Sequence, residues 1–226
     1  MRAAFLDHCA PTLPQVLASV DGPAVVVPLL LTAAYHAVAD IPAQLAAAGA
    51  ACPGLDAISA GTLGPDPLLV AALERRLRDA GVPTGDPRAR ASTGVVLAAA
   101  GSSDPKANAT IAALAARWQR ERGWLAVRPA YASAAGPRPA EAVLALRDEG
   151  VTQVTVATYL LAPGHFADKI REASYAAGAS AVSEVLGAAP EVADLVLARY
   201  AAAVPMTTGA DRITIGCGLS TVSRRA

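Results

Sequence analysis

One stretch of this chain occurs in it a second time. Val25–Ala50 (VVVPLLLTAAYHAVADIPAQLAAAGA) lies without gaps over Val154–Ala179 (VTVATYLLAPGHFADKIREASYAAGA) at a shift of 129. Ten of the 26 pairs are identical, with His36 over His165 and Gly49 over Gly178. Upstream, Phe5…Pro11 matches Tyr131…Pro137 at a shift of 126, and downstream Leu63-Gly64…Pro67 matches Leu186-Gly187…Pro190 at a shift of 123. Ala-rich segments match one another by chance more easily than most. Three blocks in one order, each with its own landmark, are harder to produce that way. Self-similarity at a long fixed period marks a fold built from copies of one supersecondary unit.

The unit is of α/β type. Short Val/Leu-rich runs predict strands near Ala3–Leu6, Ala24–Leu30, Leu55–Ser59, Val95–Ala99, Leu125–Ala130, Gln153–Tyr159 and Ser180–Val182. Helices are predicted between them, near Leu13–Ser19, Val38–Ala48, Pro67–Ala80, Lys106–Arg122, Pro139–Glu149, Phe166–Ala177 and Glu191–Ala203. The strand runs are continuously apolar rather than alternating, which predicts burial on both faces and hence parallel sheets flanked by helices. Such βαβ units close with right-handed crossovers. The segment Ala80–Thr93, opening Gly-Val-Pro-Thr-Gly-Asp-Pro, reads as a boundary loop. The expected organisation is a first lobe over 1–90, a second over 91–204 and an irregular tail over 205–226.

Nineteen basic residues offset nineteen acidic ones, so no global field points to nucleic acid or an anionic membrane. Any anionic ligand must then be held by local groups. Cys9, Cys52 and Cys217 have no short spacing and suggest neither a disulfide framework nor a zinc knuckle. The opening MRAAFLDH lacks the order of a signal peptide, and no apolar run reaches the ~20 residues of a membrane helix. A soluble, cytoplasmic protein without membrane or nucleic-acid partners is expected.

The two copies differ at their starts. The second opens with Val95–Ala99, Gly101-Ser102-Ser103-Asp104-Pro105 and a helix, whereas Met1 already aligns with Val127. The first copy therefore lacks a counterpart of Val95–Ala126, and its sheet should have a bare edge. We expect an ancestral chain that began earlier; whether two chains pair as a homodimer over that edge is left open here.

With these residues in view, the chain resembles the sirohydrochlorin chelatases of the long, duplicated kind. Ala100-Gly-Ser-Ser-Asp-Pro-Lys-Ala-Asn108 is similar to the family's His-Gly-Ser-Arg-Asp-Pro-x-x-Asn opening, with Ala100 at the histidine. Phe5-Leu6-Asp7 resembles the acidic end of its second strand. The run from Val27 to His36, followed by Asp40-Ile41-Pro42, resembles its second histidine motif, repeated at Leu160-Leu-Ala-Pro-Gly-His165. The resemblance spans about Met1 to Val204. It implies two chelatase-type lobes around a cleft, and insertion of a divalent metal into a tetrapyrrole in cobalamin or siroheme biosynthesis. The metal (Co2+, Fe2+ or Ni2+) would be substrate, with no permanently bound cofactor.

Ligands in open α/β sheets gather at the carboxyl ends of strands. Asp7 and His36 each follow a predicted strand, making them the candidate catalytic and metal-binding pair. Neutral imidazole ligates a metal or accepts a proton near neutral pH, and a nearby carboxylate orients it or takes up a proton itself. The bland alternatives are a loop residue capping the next helix for His36 and a turn or cap for Asp7. His8 is read as pointing away from the cleft. In the second lobe His165 has Ala100 and Ser133 where partners would stand, so it is read as lining the cleft and binding substrate. Gly101 and Ser102 are candidate substrate-binding residues through amides at a helix start, against simple capping by Ser103 or Asp104. Arg138 and Lys169 could meet substrate carboxylates or be ordinary surface charges. The competing function is a non-catalytic tetrapyrrole- or metal-binding homologue, suggested by the absent first histidine. A two-lobe binding protein of the periplasmic kind is a third reading, disfavoured by the missing signal sequence.

Overall fold

Helix starts along the chain are written in a repeated dipeptide. At Asp66-Pro67, Asp86-Pro87 and Asp104-Pro105 the aspartate is extended, and its carboxylate accepts the amide two residues on (Leu68, Arg88 and Lys106, each at 2.9 Å). The carboxylate satisfies one of the unpaired amides of a first turn, while proline has no amide there to lose. A computed structural model of the chain describes residues 1–6, 9–32, 40–52 and 54–204. Its elements are α1 (Leu13–Leu17), β1 (Ala24–Val26), α2 (Ile41–Ala51), β2 (Ala57–Ser59), α3 (Pro67–Asp79), α4 (Pro87–Ser92) and β3 (Thr93–Ala99), followed by α5 (Pro105–Arg122), β4 (Ala126–Tyr131), α6 (Pro139–Asp148), β5 (Gln153–Tyr159), α7 (His165–Ala176), β6 (Ala181–Val182) and α8 (Pro190–Ala203).

The second lobe is a parallel sheet in the order β4-β3-β5-β6. β3 is central and buried along its whole length. Its side chains alternate between two cores, as the period of a strand requires. Val95, Leu97 and Ala99 face a core shared with α3, α5 and α8, while Val96 and Ala98 face one shared with α6 and α7. Trp118 and Trp124 meet edge to face in the first core, ring centroids 6.0 Å apart. This doubly covered parallel sheet is the expected α/β architecture.

The first lobe repeats this plan in reduced form. β1 and β2 pair in parallel, and α1 and α2 pack on them around Leu13, Leu17, Ile41 and Ala48. The duplication survives in backbone detail. The Phe5 amide donates to the Pro11 carbonyl at 2.9 Å, and the Tyr131 amide to the Pro137 carbonyl at 2.9 Å. At the helix starts that follow, the Thr12 amide donates to Gln15 Oε1 at 2.8 Å and the equivalent Arg138 amide to Glu141 Oε2 at 2.7 Å.

Two expectations need correction. The predicted strand Ala3–Leu6 is an exposed segment with a single bridge from Phe5 to Thr12. Among the described residues, its counterpart β4 is hydrogen-bonded only to β3 and the first lobe shows no strand equivalent to β3, so residues 3–6 have no neighbour there to pair with. The boundary loop Ala80–Thr93 contains the short helix α4, started by Asp86-Pro87 in the manner of α3 and α5. The remaining strands and helices fall near their predicted ranges, β1 being the most shortened. Cys9 and Cys52 are free thiols. Among the described residues no helix is long and apolar enough to cross a membrane. The tail from Pro205 to Ala226 lies outside the described residues.

The last helix of each copy packs beyond its own lobe. α3, from the first copy, lies on β5 and α8, and its Leu69, Leu73 and Leu77 are fully buried in the larger core. α8, from the second copy, reaches back to β1. The two helices are joined by a bidentate ion pair, Arg75 to Glu191, with Nη2–Oε1 at 2.7 Å.

Candidate functional site

The sheet order places a topological switch between β3 and β5: the chain leaves β3 for β4 on one side and returns to β5 on the other. Loops leaving neighbouring strands at such a point diverge and open a crevice at their carboxyl ends. A cavity of about 240 Å³ lies there. One side is formed by Ala99–Ser102 after β3, with Ala107, Asn108 and Ile111 of α5; another is formed by Tyr159–Leu161 at the end of β5. The first lobe supplies the facing wall, Leu29–Thr32, in the segment after β1. The cleft is thus shared by both copies.

The turn after β3 is held tightly. Gly101 has φ +86°, and a Cβ at this position would collide with the Ser133 carbonyl oxygen and come within 2.9 Å of Tyr131 Cβ. Only glycine fits so close an approach in the left-handed region. The Ser102 amide donates to Asn108 Oδ1 at 3.0 Å, and Asn108 Nδ2 returns a bond to the Ser102 carbonyl at 2.7 Å. Ser102 Oγ accepts the Asp104 amide at 3.0 Å. Tyr131 Oη donates to the Asn108 carbonyl at 2.8 Å, which ties the turn to β4. Burial pushes the Tyr131 phenol up, and burial together with the Asp66 charge pushes that of Tyr159 up further. Both stay protonated near neutral pH, so they serve as hydrogen-bond struts rather than bases. Among the described residues, the lining carries no carboxylate, lysine, arginine or histidine. Its walls are mostly apolar and suit a flat hydrophobic surface. At 240 Å³ it is smaller than the roughly 300–1,000 Å³ of most small-molecule sites.

Of the residues singled out from the sequence, Gly101 and Ser102 line this cleft. The amides at Ser102, Asp104 and Lys106 are taken by Asn108, Ser102 and Asp104. Capping by Asp104 therefore occupies part of the turn read as an anion cradle. His165 is the exposed first residue of α7 and is not among the lining residues; its ring meets Phe166 with centroids 6.1 Å apart. Ser133, at the position matching Asp7, donates its hydroxyl to the Ala100 carbonyl at 2.9 Å. Arg138 Nη1 reaches the Tyr131 carbonyl at 3.4 Å, and Lys169 is exposed on α7. Asp7, His8 and His36 lie outside the described residues. Among the described residues, no group of three or more His, Cys, Asp or Glu side chains is placed to hold a metal.

Asn108, Tyr131, Tyr159 and the wall Leu29–Thr32 were not singled out from the sequence. Asn108 was within reach of such reading, because it closes the Ala100–Asn108 motif. The tyrosines and the leucine wall become visible only through strand register and the packing of one copy on the other.

The CbiX family model matches residues 1–80 and 94–203. The chain is similar to the sirohydrochlorin ferrochelatase of Bacillus subtilis (strain 168), with 34% identity over 146 residues, 64% of this chain and 53% of that protein. It is 28% identical over 172 residues to the sirohydrochlorin ferrochelatase of Priestia megaterium, covering 74% of this chain and 63% of the other. The chain thus spans between half and two thirds of the length of these relatives. Among solved structures, SirB from Bacillus subtilis with Fe3+ superposes at a TM-score of 0.74 with 28% identity, covering 88% of this chain and 79% of that one. The sirohydrochlorin chelatase SirB from Bacillus subtilis subspecies spizizenii, in complex with cobalt, gives a TM-score of 0.68 with 25% identity over 87% and 77%. With most of both copies matched in sequence and the two-copy α/β architecture shared, the chain belongs to the CbiX family of sirohydrochlorin chelatases.

Proposed function

We propose that this chain inserts a divalent metal, Co2+ or Fe2+ with Ni2+ also admissible, into sirohydrochlorin or a related tetrapyrrole, as in cobalamin or siroheme biosynthesis in the cytoplasm. The observation that carries the reading is the cleft at the β3/β5 switch point, whose first-lobe wall Leu29–Thr32 immediately precedes the His36 motif in sequence. His36 is four residues past Thr32 in the sequence. The macrocycle would rest on the apolar walls of the cleft, with Gly101 and Ser102 at its edge and His165 farther out as a substrate contact. The lobes 1–90 and 91–204 would act as its two jaws. The metal-bearing Bacillus relatives support the same reading.

Insertion exchanges two pyrrole N–H protons for one M2+, so the site must deliver a cation and remove protons. In this proposal the neutral His36 imidazole ligates the incoming metal, and the Asp7 carboxylate orients the imidazole or accepts a pyrrole proton. The described lining is uncharged, which suits this work, since it adds no competing carboxylate or imidazole ligand. First-row divalent ions share N/O ligands, so supply decides among them as much as the site does.

A second reading, a non-catalytic binder of tetrapyrrole or metal, is favoured by one observation. In the second lobe Ala100 replaces the motif histidine, and the Ser133 hydroxyl is committed to the Ala100 carbonyl. Steady-state assays of purified protein with sirohydrochlorin and Co2+ decide between the two. The chelatase gives metallated product at a rate that His36→Ala and Asp7→Asn each reduce by about 10²-fold or more. Binding without turnover, weakened by His36→Ala, selects the binder.

A further inference from the structure

The exchanged helices carry a matched pair of arginines. Arg76 on α3 and Arg199 on α8 are related by the same shift of 123 that superposes Leu63-Gly64 on Leu186-Gly187. Arg76 donates through Nε and Nη2 to the Leu186 carbonyl at 3.2 and 2.9 Å. Arg199 donates through Nη2 to the Leu63 carbonyl at 3.0 Å, through Nε to the Thr62 carbonyl at 2.7 Å, and through Nη2 to Asp66 Oδ2 at 2.9 Å. Each copy's terminal helix therefore grips the same backbone position of the other copy.

Those gripped segments lead directly to the cleft. The Gly64 amide donates to the Leu30 carbonyl at 3.2 Å. A Cβ at Gly64 would collide with the Leu31 carbonyl and stand 2.6 Å from Tyr159 Oη, so only glycine fits the loop against that wall. On the other side the Leu186 amide donates to the Leu160 carbonyl at 2.8 Å, and the Gly187 amide to the Leu161 carbonyl at 2.9 Å. Leu30, Leu31, Leu160 and Leu161 all line the cavity. Tyr159 Oη donates to the Leu31 carbonyl at 3.3 Å and ties the walls together.

We propose that Arg76 and Arg199 are positioning residues for the tetrapyrrole cleft, forming a reciprocal clamp in which each copy sets the wall that stands on the other. Arg199 holds the wall Leu30–Leu31 through the 62–66 loop; Arg76 holds the wall Leu160–Leu161 through Leu186-Gly187. The clamp rests on the proposed function for its ligand, but its mechanical part stands on the ligand-free protein. It makes the separation of the walls a joint property of both copies, which explains why the second copy keeps its fold although Ala100 and Ser133 replace the motif residues.

The test uses Arg76→Met and Arg199→Met, each beside its lysine variant, with Arg75→Met as control. Arg75 bridges the same helices to Glu191 and, among the described residues, touches no cavity wall. Two readouts are taken on the full chain: sirohydrochlorin affinity by absorbance titration without metal, and amide hydrogen exchange without ligand. Loss of either clamp arginine weakens sirohydrochlorin binding roughly tenfold, on the scale expected when positioning groups shift by a fraction of an ångström. Lysine recovers part of the loss. Arg199→Met speeds exchange at Gly64, and Arg76→Met at Leu186 and Gly187, while Arg75→Met lowers thermal stability with affinity unchanged. Equal stability losses in all three methionine variants with wild-type affinity would overturn the clamp. If wild-type protein fails to bind sirohydrochlorin, the proposed ligand is wrong; the exchange pattern then decides the clamp alone, and unchanged exchange at Gly64, Leu186 and Gly187 refutes it.

Discussion

Gly101→Ala separates two costs that the cleft turn combines. The first is conformational: φ is +86° at Gly101, and an alanine held in the left-handed region costs about 1–2 kcal/mol. The second is steric, because the new methyl would meet the Ser133 carbonyl and Tyr131 Cβ. Relief requires the 131–133 segment to move away from Ala100, where Ser133 is bonded through both its amide and its hydroxyl at 2.9 Å. Overpacking of this kind costs about 1–3 kcal/mol, so the sum is roughly 2–5 kcal/mol. Gly123→Ala supplies the reference. Gly123 ends α5 with φ +70°, and nothing lies within 4 Å of its added Cβ, so it bears the conformational cost alone, about 1–2 kcal/mol. Urea unfolding of the two variants measures the difference, provided the m-value is unchanged. Gly101→Ala should be the more destabilised and should also weaken sirohydrochlorin binding. Equal losses of stability in the two variants would refute the tight seating of this turn against β4 and the 131–133 segment.

Other outcomes follow from the same geometry. Asn108→Ala leaves the Ser102 amide and carbonyl without their partner and should cost about 1–3 kcal/mol, with weaker tetrapyrrole binding in the same titration. Leu97→Ala, in the fully buried centre of β3, should cost about 2–5 kcal/mol in urea unfolding and leave the cleft residues in place. The Arg75 hydrogen bond holds the Glu191 carboxyl below its usual range, so the bridge stabilises the fold above the unfolded carboxylate value and is lost as pH falls through the lowered native one. The stability gap between wild type and Glu191→Gln should therefore be constant above about pH 5 and close at lower pH; a gap that widens on acidification contradicts the assignment.

Much of the architecture is legible in the sequence because its signals are local. Val154–Tyr159 is buried in a parallel strand, as its Val-rich run predicts, and the helices expected from Pro67 and Lys106 begin at Pro67 and Pro105. Helix α4 is hidden from local patterns because Gly and Pro crowd the segment before Asp86-Pro87. Residues 3–6 fail as a strand for a reason no local pattern carries: strand formation needs a neighbour, and among the described residues β3 has no first-copy equivalent. Contacts between Arg76 and Leu186, or Arg199 and Leu63, join residues more than a hundred positions apart, without periodicity or motif to announce them. Of the sequence candidates, Gly101 and Ser102 line the cleft. Its struts, Asn108, Tyr131 and Tyr159, depend on register and packing.

The central claim is that the His36 segment and the shared cleft together metallate a tetrapyrrole. The most direct measurement is a single-turnover reaction, with protein in excess over sirohydrochlorin and Co2+ added last, followed by the absorbance change of the macrocycle. The account predicts metallation well above the rate in buffer for wild-type protein, and loss of that excess in His36→Ala even where the macrocycle remains bound. Bound sirohydrochlorin that takes up Co2+ no faster than in buffer, or a His36→Ala protein as fast as wild type, would contradict it.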